Sequence, residues 1–158
     1  MMPLRQVQPA EAAIACLTRL LTNELAAVAS YHQACHGFAT AWDTDWGICQ
    51  TAHQTQADLL TARLHVLGGY APTGADPWPA VVTALATVDA GDGLRLVHGA
   101  LRSGEDRGLA DYLGRQPNLD GASAQMVQEQ ILPSQFLAHE AMRRICGQRV
   151  LSLMAGGV

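Results

Sequence analysis

Of the fourteen acidic residues in this 158-residue chain, only five are glutamate: Glu11, Glu24, Glu105, Glu129 and Glu140. Glu24 and Glu105 lie inside long apolar-periodic stretches, as do His53, Gln56, Gln135 and His139. Carboxylate oxygens together with imidazole nitrogens are a donor set suited to iron, manganese or zinc. Placed in a core, two facing glutamates repel, and burial penalises each charge unless it is paired, protonated or bound to a cation. Two chemistries are therefore open for these six residues. They could ligate a single metal ion, or they could form a hydrogen-bonded cluster with a shared proton.

The stretches that must position them read as four long helices. The first pattern runs from Pro9 to His36 with a seam at Ile14, Leu17, Leu21, Glu24, Val28, Tyr31 and Cys35, alternating steps of three and four. The second covers Thr44 to Leu67, with Thr44 as the expected N-cap, the seam Trp46, Cys49, His53, Gln56, Leu60, Leu64 and Leu67, and a stop at Gly68-Gly69. The third runs from Asp92 to Gln116 through Leu94, His98, Leu101, Glu105, Gly108 or Leu109, and Tyr112. The fourth covers Gly121 to Gln148 through Gln128, Ile131, Gln135, His139, Met142 and Cys146, with Pro133 expected to kink it. The tail 149–158 is expected to be loose.

Residues 70–91 hold three prolines and are too long for a tight turn. They predict a crossover between two helical hairpins, with a short helix starting at Pro79. The fold expected is all-α: one domain over 1–158 (core 9–148), an antiparallel four-helix bundle. Each polar seam residue falls near the midpoint of its helix, so all six should converge at one level. Tyr31 follows Glu24 by seven residues and Tyr112 follows Glu105 by seven. This marks the first and third helices as equivalent members of two related hairpins, each phenol about 10 Å along the seam from its carboxylate.

Composition excludes several classes. All ten basic residues are arginine, and a net charge of −4 leaves no basic patch for nucleic acid. No uninterrupted apolar run approaches the ~18 residues of a membrane span, and the N-terminus lacks the pattern of a signal peptide. Cys16, Cys35, Cys49 and Cys146 show no CxxC spacing and read as reduced thiols acting as small hydrophobes, so the expectation is cytoplasmic. His32 and His36 have i, i+4 spacing without a carboxylate and read as an exposed face; His65 and His98 read as structural or solvated. Cys49 and His53 share a seam, but nothing marks the thiol as activated. Phosphate-binding, nucleophile-elbow and HExxH motifs are absent. Low charge with Leu, Val and Trp residues off the seams points to self-association as a dimer.

The stretch LTRLLTNELAAVASYHQACHGF resembles the first helix of bacterioferritins, in which a ligand Glu is followed seven residues later by Tyr. DWGICQTAHQTQADLLTARLHVLGGYAP is similar to the second helix of that group. GEDRGLADYLGRQ with QILPSQFLAHEAM looks closer to small uncharacterised bacterial ferritin-like domains. The resemblance to the ferritin-like superfamily spans about residues 9 to 147. It implies a bundle whose di-iron site takes one Glu from each of two helices and Glu-x-x-His from each of the other two. Glu24 and Glu105 match the single-Glu positions. The paired motifs, however, fall on His53 and Gln56 in the second helix and on Gln135 and Ala138 in the fourth, with His139 one residue off. Two of four carboxylates remain, too few to neutralise two metals about 3.5–4 Å apart.

The resemblance therefore implies an incomplete site. It would be filled by at most one iron, manganese or zinc ion on Glu24, His53 and Glu105, helped by Gln56, Gln135 or His139, and without ferroxidase activity. The alternatives are a metal-free structural or interaction module with a buried polar layer and, third, a di-iron oxidase with unusual ligands.

Overall fold

A computed structural model describes residues 9–38, 43–87, 92–114 and 116–155, and among them every regular element is helical. The helices are α1 (Pro9–Gly37), α2 (Thr44–Val66), α3 (Pro79–Ala86), α4 (Gly93–Gly114), α5 (Gly121–Met126) and α6 (Leu132–Ala155). A 3₁₀ turn (Gln116–Asn118) precedes α5, and a π turn (Val127–Ile131) joins α5 to α6. The long helices begin and end where their ends are satisfied. Asp43, one residue before the expected Thr44, caps α2 by accepting from the Trp46 N–H at 2.9 Å. At the other end Gly68 takes φ +74°, and the Gly69 N–H reaches the Leu64 carbonyl at 2.9 Å while that of Gly68 reaches His65. This is the Schellman closure anticipated from Gly68-Gly69.

Pro133 changes the last helix differently from a simple kink. It has no N–H to donate, and its ring crowds the preceding turn. That turn opens into the π geometry, with the Leu132 N–H bonded to the Val127 carbonyl. The extra residue rotates what precedes it, so Val127 is buried where the seam predicted Gln128, which is exposed. Helix α6 also continues beyond Gln148 to Ala155 through residues of good helix propensity, so residues 149–155 are not a loose tail; 156–158 lie outside the described residues.

Four of the helices contact one another in a closed order, α1 on α2, α2 on α6, α6 on α4 and α4 on α1. Their buried apolar residues form two clusters. One joins residues 27–35 of α1, 46–52 of α2, 97–101 of α4 and 138–145 of α6, together with Trp78, Val81 and Ala84. The other joins 16–21 of α1, 57–64 of α2, Tyr112 of α4 and Val127 and Ile131 of the π turn. In each helix the gap between the clusters holds buried polar residues: Glu24, His53 and Gln56, Glu105, and Gln135. By length and composition α1 is apolar enough to cross a membrane, but here its apolar stripe faces the two clusters.

Helix α3 and the segment before it seal one side. The Trp78 backbone N–H donates to Ser30 Oγ at 2.8 Å, and the six-membered ring of its indole packs against Gly104 of α4. Trp78 is thus core, not the off-seam surface residue that the sequence pointed to; Trp46 is core too, and Trp42 lies outside the described residues. A Cβ on Gly104 would stand 2.1 Å from the Trp78 ring, a rigid group with no free end to swing away. Gly104→Ala is therefore expected to lower stability by about 1–3 kcal/mol in urea unfolding, despite the better helix propensity of Ala.

Candidate functional site

Five of the six predicted residues meet. Glu24 comes from α1, His53 and Gln56 from α2, Glu105 from α4 and Gln135 from α6, all between 0% and 2% exposed. The sixth does not. Ala138 takes the inward position, and His139 turns outward to place its Nε2 2.7 Å from Asp106 Oδ1 on α4. A small apolar residue packs inside at this crossing, and the polar neighbour pairs at the rim.

His53 holds the centre. Its Nδ1 lies 2.7 Å from Glu24 Oε2, and its Nε2 lies 2.7 Å from Glu105 Oε1. A carboxylate at each ring nitrogen is satisfied only when both nitrogens carry a proton, which makes the ring an imidazolium. Burial opposes that charge, but Glu105 and then Glu24 outweigh it and raise the His53 pKa to about 10. Glu105 responds reciprocally. Burial would raise its carboxyl, yet the facing imidazolium and donors from Tyr31 and Gln135 leave it below its ordinary value.

The remaining lone pairs are also occupied. The Tyr31 hydroxyl donates to Glu105 Oε1 at 2.6 Å, and the Tyr112 hydroxyl donates to Glu24 Oε1. Each phenol thus serves the carboxylate of the other helix, not the one seven residues before it. Burial, and then the adjacent carboxylate, push both phenols well above their ordinary pKa, so they remain donors. Gln135 Nε2 donates to Glu105 Oε2 at 2.9 Å. With its nitrogen facing the acceptors, Gln56 donates to both Glu24 oxygens at 3.0 and 3.1 Å and to Gln135 Oε1 at 3.0 Å. Its oxygen then accepts from the Gln135 N–H at 3.1 Å and Ser134 Oγ at 3.2 Å, whereas the reverse orientation would set oxygen against carboxylate.

The Trp78 and His53 rings are perpendicular, 6.3 Å apart between centroids. Sequence reasoning missed Trp78 and Ser134. The glycine pair Gly104 and Gly108, one turn apart on α4, was the signal for a close approach there. A groove of about 740 Å³ passes nearby along Asn23, Trp78, Arg107 and Asp111, but none of the five layer residues lines it. Cys49 and His53 share a seam without a reactive pairing: both ring nitrogens face carboxylates, and burial first, then Glu105, push the thiol up to about 12. His65 is exposed and His98 buried.

No protein-family model, curated protein or solved structure matches this chain.

The layer predicts how stability varies with pH. Unfolded, His53 loses its proton near ~6.5; folded, it keeps it to about 10. Between those values the folded state holds the extra proton, so the His53 contribution to stability is fully present below ~6.5 and is lost as pH rises through about 10. In His53→Gln the two carboxylates face each other without a counter-charge, and at least one takes up a proton more readily than in the unfolded chain. The loss of stability with rising pH should then move down into the acid range, between ~4 and ~7, and the loss on approaching pH 10 should disappear. Urea midpoints from pH 4 to pH 10 for both proteins check this; parallel profiles would contradict the imidazolium assignment.

Proposed function

We propose that the chain is a ferritin-like, antiparallel four-helix bundle serving as a non-catalytic structural or interaction module, its centre held by a protonated histidine instead of metal. The make-up of the two apolar clusters supports the bundle reading. Residues 27–35 of α1 and 138–145 of α6 come after the layer residues Glu24 and Gln135 of their helices, and they share a cluster with residues 46–52 of α2 and 97–101 of α4, which come before His53 and Glu105. Neighbours in the closed order are then antiparallel, while α2 and α4 are parallel. Parallel helices must be joined by a crossover, and the long connection between α2 and α4, which contains α3, is the segment that would supply it.

One observation carries the functional reading: both nitrogens of His53 lie 2.7 Å from carboxylate oxygens. The ring has no lone pair to offer, and every carboxylate oxygen already accepts from His53, a tyrosine or a glutamine. The ligand set of a di-iron centre does not fit these residues. His53 and Gln135 stand where carboxylates are needed, Gln56 and Ala138 where imidazoles are needed, and His139 is paired at the rim. Two carboxylates carry a charge of −2, too little to neutralise two metal ions, and the proton on His53 already offsets half of it.

A second reading is favoured by the convergence of Glu24, His53 and Glu105. If His53 loses a proton, the three could ligate a single iron, manganese or zinc ion, with the amide oxygens of Gln56 or Gln135 as further donors.

Elemental analysis of untagged protein after incubation with Fe(II), Mn(II) or Zn(II) and gel filtration separates the two. The expected result is equal metal content in wild type and Glu24→Gln. Stoichiometric metal lost in Glu24→Gln would establish the single-ion reading. Oxygen uptake with Fe(II) should be no faster than in the Glu24→Gln/Glu105→Gln double variant; a faster wild-type rate would overturn the non-catalytic assignment.

A further inference from the structure

The exposed end of α1 carries a second constellation, independent of the buried layer. His32 and His36 are one turn apart, both are exposed, and their Nε2 atoms face each other at 3.2 Å. Their rings stand edge to face, with centroids 4.4 Å apart and planes at 72°. We propose that this pair is a two-point site for a borderline divalent transition-metal ion, copper(II), nickel(II) or zinc(II).

The argument is geometric. Metal to imidazole-nitrogen bonds are about 2.0–2.1 Å, so two nitrogens 3.2 Å apart subtend about 100° at a shared ion. That angle lies between the cis positions of tetragonal and tetrahedral coordination, the arrangements that copper, nickel and zinc adopt. The two nitrogens already stand at the separation a shared ion requires, so each ring need only turn to aim its lone pair at the ion. Rigid helical backbone sets the separation, so little freedom is lost on binding. His36 lies in the last turn of α1, where the helix dipole favours positive charge. Two protein ligands leave the other coordination positions to water. Imidazole nitrogens select against magnesium and calcium, which require oxygen donors.

The test is calorimetric titration of the untagged full chain at neutral pH with copper(II), zinc(II) and magnesium(II), repeated for His32→Gln, His36→Gln and Glu24→Gln/Glu105→Gln. Copper should bind at one equivalent and more tightly than zinc, and magnesium should not bind. Each histidine variant should weaken copper binding by more than the ~10-fold cost of losing even an outer-shell partner, and the glutamate variant should leave it unchanged. Both histidines are exposed, so their replacement is not expected to disturb folding. Broadening by copper of the His32 and His36 ring resonances in wild type gives a second readout that does not rely on variants. Unchanged affinity in both histidine variants, or broadening confined to His53, would overturn the proposal.

Discussion

The structure depends on one imidazolium suspended between two carboxylates. His53 of α2 reaches Glu24 of α1 with one nitrogen and Glu105 of α4 with the other, so a single ring fixes the axial position of three helices. Gln56 and Gln135 extend the same contact to α6. A buried ion cluster of this kind contributes less to stability than well-packed apolar residues of equal volume would, but removing one member leaves an uncompensated charge. What the layer supplies is register. Sliding any one helix by a turn would break bonds that no alternative partner could replace.

The chain around the layer is arranged to keep it dry and complete. Two apolar clusters close it above and below, and Trp78 closes it laterally because Gly104 leaves room for the indole. The phenols exchange partners across the α1 and α4 contact. In a helix a side chain leans back toward the N-terminus, so each tyrosine comes down from its own position onto the facing helix's carboxylate. The two hydroxyls therefore act as struts between helices. Their weak acidity at this depth keeps them donors across the range in which the layer holds its charge.

Much of this was legible in the sequence because it rests on local rules. The seam spacing located α1, α2 and α4 to within two residues, and Gly68-Gly69 announced the α2 stop. Glu24, His53, Gln56, Glu105 and Gln135 stand out as polar residues on apolar seams, and they do meet. The failures cluster on the last helix. A seam read at constant period assigned Gln128 and His139 inward, but the π turn before Pro133 rotates one end, and packing at the α4 crossing selects Ala138 over its neighbour. Neither adjustment can be counted from residue spacing alone.

The sequence by itself determined that the chain is helical, where most helices lie and five of the polar residues that are buried, since periodicity and capping are properties of short segments. The tertiary structure alone decided what those residues do together. Whether an imidazole between two glutamates is a ligand or a cation depends on which atoms face which, and on whether each tyrosine serves its own helix or its neighbour. Those are distances between segments far apart in the chain. They are set by how four helices pack against one another, which no single helix encodes.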